Sequence, residues 1–268
     1  MTRRYLESRI SAHNRQRSLL DNSANRLSKH IKTELNRVIK AVIKKMQEEG
    51  QEEIPAYEIK NHTKRINILL YDESKRVSKA SIIQTAKAME KAGWIEHEET
   101  MQTREGSMVS KTIQITKPRI IEMCLFWANR ISNTTEKRLE KALQDGRKTE
   151  LKVLDEILAS SILNSILPEN AYRAIFIGGL TSHQSMQWGP QWLMEQYQER
   201  SKRVLKKVWI SQRDGRVRKA HRAADGQAVP VDSDFIVAGD PLKHPGDGSR
   251  TTLDNVQGCR CFVTYLRE

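Results

Sequence analysis

Between Lys29 and Gln47 the apolar residues Ile31, Leu35, Val38, Ile39, Val42, Ile43 and Met46 recur at steps of three and four. Only a helix gathers residues of that spacing on one face, so the segment is expected to be a long amphipathic helix with one stripe in a core. Lys32, Arg37, Lys40 and Lys44 fall on the other side, most simply a solvated basic face. Gly50 and Pro55 are expected to end it, for steric reasons. A second helical block runs from about Ile120 to Leu167, with a break at Asp145-Gly146 and a wide apolar face of Val153, Leu154, Ile157, Leu158, Ile162, Leu163 and Ile166. Pro168 is expected to stop it. A third helix is read from about Pro190 to Val208, with Trp192, Leu193, Tyr197, Val204, Leu205 and Val208 inward. Lys202, Arg203, Lys206 and Lys207 would then sit at its C-terminal end, where cations suit the helix dipole. The same four are the candidates for contact with DNA.

The remaining segments change rhythm. From Ile54 to Pro118 a helical stretch, Lys79 to Ala92, is closed by Gly93 and followed by Trp94-Ile95. After a polar turn at Arg104-Glu105-Gly106, the run Val109 to Thr116 alternates apolar and polar residues like a half-buried strand. Helix, helix, hairpin is the outline of a winged helix, but Glu96, Glu98, Glu99 and Glu105 would repel phosphates, which favours a structural or protein-contacting use. The last 60 residues hold six of the chain's 13 glycines and three of its 7 prolines. Short β-type runs stand among them: Val208 to Ile210, Ala228 to Val231, Phe235 to Val237 and Cys261 to Leu266. That turn density predicts a compact unit of mixed helix and strand.

The expected class is therefore α+β, with mainly helical N-terminal and central parts and a small mixed C-terminal module. The segments are 1–50, a basic helical region; 51–118, the winged-helix-like region; and 119–268, which ends in the module.

Charge bounds the partners. With 46 Lys and Arg against 33 Asp and Glu the formal charge is +13, enough to favour a polyanion. It is concentrated: residues 1–50 carry +7 and 201–250 carry +5, whereas 51–100 carry −1. Cys124, Cys259 and Cys261 are the only cysteines, an odd number that fits a reducing compartment. Arg3, Arg4, Glu7, Arg9, Arg15 and Arg17 interrupt the first twenty residues, so no membrane segment is expected there. A cytosolic, soluble product is the natural expectation.

Three groups of residues could carry chemistry. Cys259 and Cys261 are two apart, so on a strand their side chains would leave one face about 6.6 Å apart at the α-carbons. With His221 and His244 they could make a Cys/Cys/His set suited to zinc, but Cys-x-Cys is a weaker zinc signal than Cys-x-x-Cys, so two buried thiols are the preferred reading and no cofactor is expected. Asp214, Arg216, Arg218, His221 and Asp225 could serve proton transfer in a nuclease. Asp214-Gly215 and Asp225-Gly226 are equally plain turn formers, and Arg216 and Arg218 can hold the carboxylates by forked hydrogen bonds. No Walker-type phosphate loop, nucleophile elbow or His-Glu-x-x-His helix is present. Trp188, Trp192 and Trp209 are read as core in preference to base-stacking platforms.

The order of these pieces is itself informative. Trp209 leads into Asp214-x-Arg216-x-Arg218-x-x-His221, then Asp225-Gly226-Gln227, Phe235, Pro245-Gly246-Asp247 and finally Cys259-Arg260-Cys261, over about 53 residues. This run resembles the C-terminal signature of the phage Mu F-type head morphogenesis family. The chain departs from that family at Gly179-Leu180-Thr181-Ser182-His183, which lacks the arginine and glutamate of the family's helix, and at Gly258, where an asparagine is common. The resemblance implies a non-catalytic minor capsid protein that acts in head assembly and DNA packaging or ejection. It further implies portal and other head proteins as partners, with double-stranded DNA bound without sequence preference. Its expected place is the virion interior near the portal vertex, after synthesis in the bacterial cytoplasm. A nuclease centred on His221 and a winged-helix regulator are the competing readings.

Overall fold

The computed structural model describes residues 3–50, 53–100, 106–147, 156–248 and 253–267. The expectations for Arg104, Glu105, Val153 and Leu154 lie outside them. Among the described residues the first three quarters of the chain hold five helices: α1 (Arg3–Glu49), α2 (Ala56–Lys91), α3 (His97–Thr100), α4 (Met108–Arg147) and α5 (Glu156–Ser201). The tail adds β1 (Leu205–Ile210), α6 (Lys219–Ala223), β2 (Ala228–Pro230), β3 (Phe235–Val237), β4 (Asp240–Leu242), α7 (Leu253–Val256) and β5 (Phe262–Arg267). The chain is mainly helical with a small antiparallel sheet at its C-terminus, an α+β fold. Among the described residues no helix is long and apolar enough to cross a membrane.

Two compact units divide the chain: Met1–Ala24, Ser74–Ile120 and Gly179–Glu268 form one, Asn25–Glu73 and Ile121–Gly178 the other. In the second, Val38, Ile39, Val42, Ile43 and Met46 of α1 are buried with Leu139 and Leu143 of α4 and with Leu158, Ile162 and Ile166 of α5. Burial of each such side chain stabilises by about 1.5–3 kcal/mol, so the stripe legible in the sequence is the face that holds this unit together. Glu34 lies in the same unit and accepts a fork of bonds from Arg37 at 2.8 and 2.9 Å. Burial opposes its charge, yet Arg37 and the His62 ring hold its carboxyl down at about 2.

In the first unit, Ile82, Ala86 and Met89 of α2 pack with Met108 and Val109 of α4, Leu193, Met194 and Tyr197 of α5, and Leu205 and Val231 of the tail. A Schellman turn closes α2: the Trp94 N–H donates to the Met89 carbonyl and the Gly93 N–H to that of Glu90, both at 2.9 Å, with Gly93 at φ 67°. Only glycine takes that left-handed conformation without a Cβ penalty.

The region read as a winged helix is corrected here. Val109 to Thr116 is the start of α4, not a hairpin arm. Ser107 caps it by accepting the Ser110 N–H at 3.1 Å. Met108, Val109, Thr112 and Thr116 are buried at helical spacing, and the Thr112 and Thr116 hydroxyls donate to the Met108 and Ile113 carbonyls. Threonines so satisfied behave as core residues, which made a helix look like an alternating strand. Glu99, read as a wing residue repelling phosphate, accepts the Met108 N–H at 2.7 Å and a fork from Arg200. A carboxylate there complements the positive end of α4.

Two further boundaries differ from expectation. Pro168 lies inside α5 and does not stop it. Interior proline costs about 3 kcal/mol, outweighed by burial on both sides, of Leu158, Ile162 and Ile166 before it and Ala174 and Ile177 after it. The helix read from Pro190 is no separate element but the C-terminal part of α5, which ends at Ser201, and Lys202 turns left-handed at φ 54°. Val204 is therefore exposed, and Leu205 to Val208 belong to β1.

The tail is the expected mixed module. Its sheet has the order β2-β1-β5, antiparallel throughout, with Val208 opposite Ala228 on one side and Thr264 on the other. β3 and β4 form a hairpin whose turn residues Ala238 and Gly239 have φ 54° and 87°. Both positive angles are what a two-residue hairpin turn of matching twist requires.

Gly189 of α5 shows how tightly the first unit is packed. A Cβ there would lie 2.8 Å from Ile82 Cγ1 and 2.9 Å from the Ser78 carbonyl, whereas one at Gly179 meets nothing within 4 Å. Gly189→Ala is expected to destabilise the protein by about 1–3 kcal/mol, and Gly179→Ala to stabilise it by about 0.5–1 kcal/mol. Urea denaturation of the two variants checks the pair; equal effects would contradict the packing described.

Candidate metal centre

The functional side chains of the tail are positioned by β1 and the loops that return to it. Trp209 on β1 is wholly buried, and its ring meets the His221 ring edge-on at 5.5 Å and the Phe235 ring at 5.4 Å. The Asp225-Gly226-Gln227 turn is tied to the same strand: the Gly226 N–H donates to the Trp209 carbonyl and the Trp209 N–H to the Gln227 carbonyl. Asp225 accepts the Ser211 N–H at 2.7 Å and the Arg213 guanidinium at 2.9 Å. Gln227 accepts the Ile236 N–H at 3.1 Å, joining the turn to β3.

The charged members of the motif serve the fold in the same way. Arg260 donates to both oxygens of Asp214 at 2.7 and 2.6 Å, and this fork holds the Asp214 carboxyl below its ordinary range. Arg218 donates to the Gln257 carbonyl. The Arg216 side chain is exposed, and its backbone N–H donates to Asp214 at 3.0 Å. Asp247 accepts the Lys243 N–H at 3.0 Å. Gly246, at φ 80°, faces His183, whose Nδ1 would lie 2.7 Å from any Cβ there. His183 in turn donates through Nε2 to the Cys261 carbonyl at 2.9 Å. Burial pushes the His183 and His244 rings down to about 4, so both are neutral at neutral pH.

His221, carried on α6, converges with the two cysteines. Its Nδ1 is 3.5 Å from the Cys259 sulfur and 3.6 Å from that of Cys261. The three candidate ligand atoms all lie within 4.8 Å of one another, and all three residues are buried. The thiols are free of disulfides. A hydrogen bond from Cys259 holds the Cys261 thiol down to about 5, against burial and with help from His221. Burial pushes Cys259 up instead. Burial also opposes charge on His221, yet its contact with Cys261 lifts that ring above its usual value. Two sulfurs and one imidazole nitrogen at this spacing could hold one metal ion, a soft donor set of low net charge.

Three sequence expectations are corrected. His244 is not part of this group: its Nδ1 donates to the Pro245 carbonyl at 3.0 Å, and its ring stands against Trp188. The cysteines do not lie on a strand, since β5 begins at Phe262; the loop after α7 brings them together. Lys207 is no surface contact for DNA, because it is wholly buried on β1. Its ammonium donates to the Lys243 carbonyl at 2.7 Å above the Phe235 ring, and burial pulls it down to about 8. Lys202 and Arg203 are exposed, Lys206 partly so. One residue of the site escaped the sequence reading, Asn255, which stands four before Cys259 in a four-residue helix too short to leave a periodic signal.

Compared with protein-family models, with curated proteins and with solved structures, the chain finds no match.

The motif residues differ in what their loss should do. Trp209→Ala is expected to cost about 3–5 kcal/mol, the range for a fully buried indole. Arg216→Ala should stay within about 0.5 kcal/mol, because that side chain is exposed. Thermal unfolding monitored by circular dichroism measures both, and a tolerated Trp209→Ala would remove the indole from the role given to it.

Proposed function

We propose that the chain is a phage minor head protein, a non-catalytic factor that acts in capsid assembly and in DNA packaging or ejection at the portal. One observation carries this reading. The motif pieces that resemble the Mu F-type signature, spread from Trp209 to Cys261, converge on a single module in which most have an internal duty: a ring contact, a turn, an ion pair or a buried thiol. A nuclease centred on His221 would need that imidazole open to substrate, and it is buried with both nitrogens engaged. The module therefore reads as scaffolding. Its working surfaces would be the helical N-terminal part, which engages the portal, and the cations that remain exposed.

Those cations support a contact with DNA. Lys202 and Arg203 after α5, with Arg216, Lys219 and Arg222 around α6, are exposed, and the chain as a whole carries +13. Contacts of this kind read phosphate and not base, so they carry no sequence preference. The protein acts inside the head near the portal vertex, after synthesis in the host cytoplasm.

Zinc is the metal the donor set suits. Two thiolates and an imidazole are typical zinc ligands, and with three protein ligands the fourth tetrahedral position is left to water or a further group.

Two outcomes are expected. Purified protein retards duplexes of unrelated sequence equally, and log affinity falls by about 0.9 per tenfold rise in salt for each phosphate contacted. A gel-shift series across salt checks this, and affinity independent of salt contradicts it. Elemental analysis should find one zinc per chain, lost in the Cys259→Ser, Cys261→Ser double variant; a metal-free wild-type protein contradicts the zinc reading.

A further inference from the structure

The far side of the His221 ring has a structure of its own. Its Nε2 lies 2.8 Å from the Asn255 carbonyl oxygen and 3.0 Å from the Asn255 amide oxygen. The orientation of that amide follows from its other neighbours. The Asn255 amide nitrogen is 2.9 Å from the Val237 carbonyl and 3.0 Å from the Asp240 carboxylate. Both of those groups only accept hydrogen bonds, so nitrogen belongs on that side and oxygen toward His221. Nε2 thus faces two acceptors and no donor, and it must carry the hydrogen. In the neutral ring this leaves the lone pair on Nδ1, the atom aimed at both sulfurs.

We propose that Asn255 is the positioning residue of the metal centre: it sets the tautomer and angle of His221 and ties the site to the β3–β4 hairpin. This rests on the zinc reading above. A metal-bound imidazole commonly donates its second N–H to a carbonyl or carboxylate, which fixes the ring and strengthens the ligand. Here one residue supplies both acceptors, from its backbone and its side chain. Its amide nitrogen is anchored at the two ends of the hairpin turn, Val237 on β3 and Asp240 on β4. Asn255 therefore holds α7 in register with the hairpin while it holds the imidazole in register with the sulfurs. Loss of the side chain removes one acceptor and both anchors, so the remaining carbonyl is no longer fixed in place.

Two measurements test this on the full chain. In zinc-loaded wild-type protein with ¹⁵N-labelled histidine, long-range proton–nitrogen correlation should show His221 protonated at Nε2 and ligated through Nδ1. Ligation through Nε2, or a proton on Nδ1, overturns the proposal without any variant. Competition against a chromophoric chelator should then show zinc held at least tenfold more weakly by Asn255→Ala, within the range of about 10–100-fold known for such outer partners. Equal affinity in the two proteins overturns the proposal while leaving the zinc reading intact. A wild-type chain that takes up no zinc sinks the zinc reading, and this inference with it.

Discussion

The C-terminal module depends on one buried imidazole engaged from every side. His221 has sulfur at Nδ1, oxygen at Nε2 and the Trp209 ring against its edge. A buried polar group left without partners costs about 1–3 kcal/mol, so a histidine in this place is tolerable only if the loops around it supply the right atoms. They do so from three directions: α6 carries the ring, α7 the oxygens and the loop before β5 the thiols. The short strands and many turns of the tail follow from that demand. Segments of three to six residues, joined by glycines able to take positive φ, can bring distant side chains to one point.

Much of this was legible in the sequence, for identifiable reasons. The stripe from Ile31 to Met46 is buried as its spacing requires, because a long helix repeats its signal many times. The tail strands stand close to where apolar runs predicted them, although β4 was missed, since Asp240-Pro241-Leu242 has almost no β-type composition. Val109 to Thr116 misled because threonine buried in a helix mimics the polar half of a strand. Pro168 reads as a stop because its local cost is legible in the sequence, whereas the tertiary burial on either side that outweighs it is not. At the site, the nearness of His221 to the cysteines could be anticipated from the motif, whereas the exclusion of His244 and the burial of Lys207 depend on which face of a short strand or loop is turned inward. Asn255 gave no signal, because an asparagine is informative only once its neighbours are known.

The proposed role in the phage head suits a chain built this way. An assembly factor needs surfaces more than reactive groups, and the motif acids and most of its guanidiniums bind one another or the backbone. The cations Lys202, Arg203, Arg216, Lys219 and Arg222 remain exposed. Phosphate recognition asks little else of a surface. The buried polar run of α5 from Thr181 to Gln187 belongs to the same design, since His183 there supports the cysteine loop through the Cys261 carbonyl.

The central claim is that His221, Cys259 and Cys261 form one ligand set. Zinc-edge X-ray absorption on the loaded protein addresses it directly, because sulfur and nitrogen shells differ in both distance and scattering. The account predicts two sulfurs at about 2.3 Å and an imidazole nitrogen at about 2.0 Å. A first shell of oxygen and nitrogen alone, with no sulfur, would contradict it.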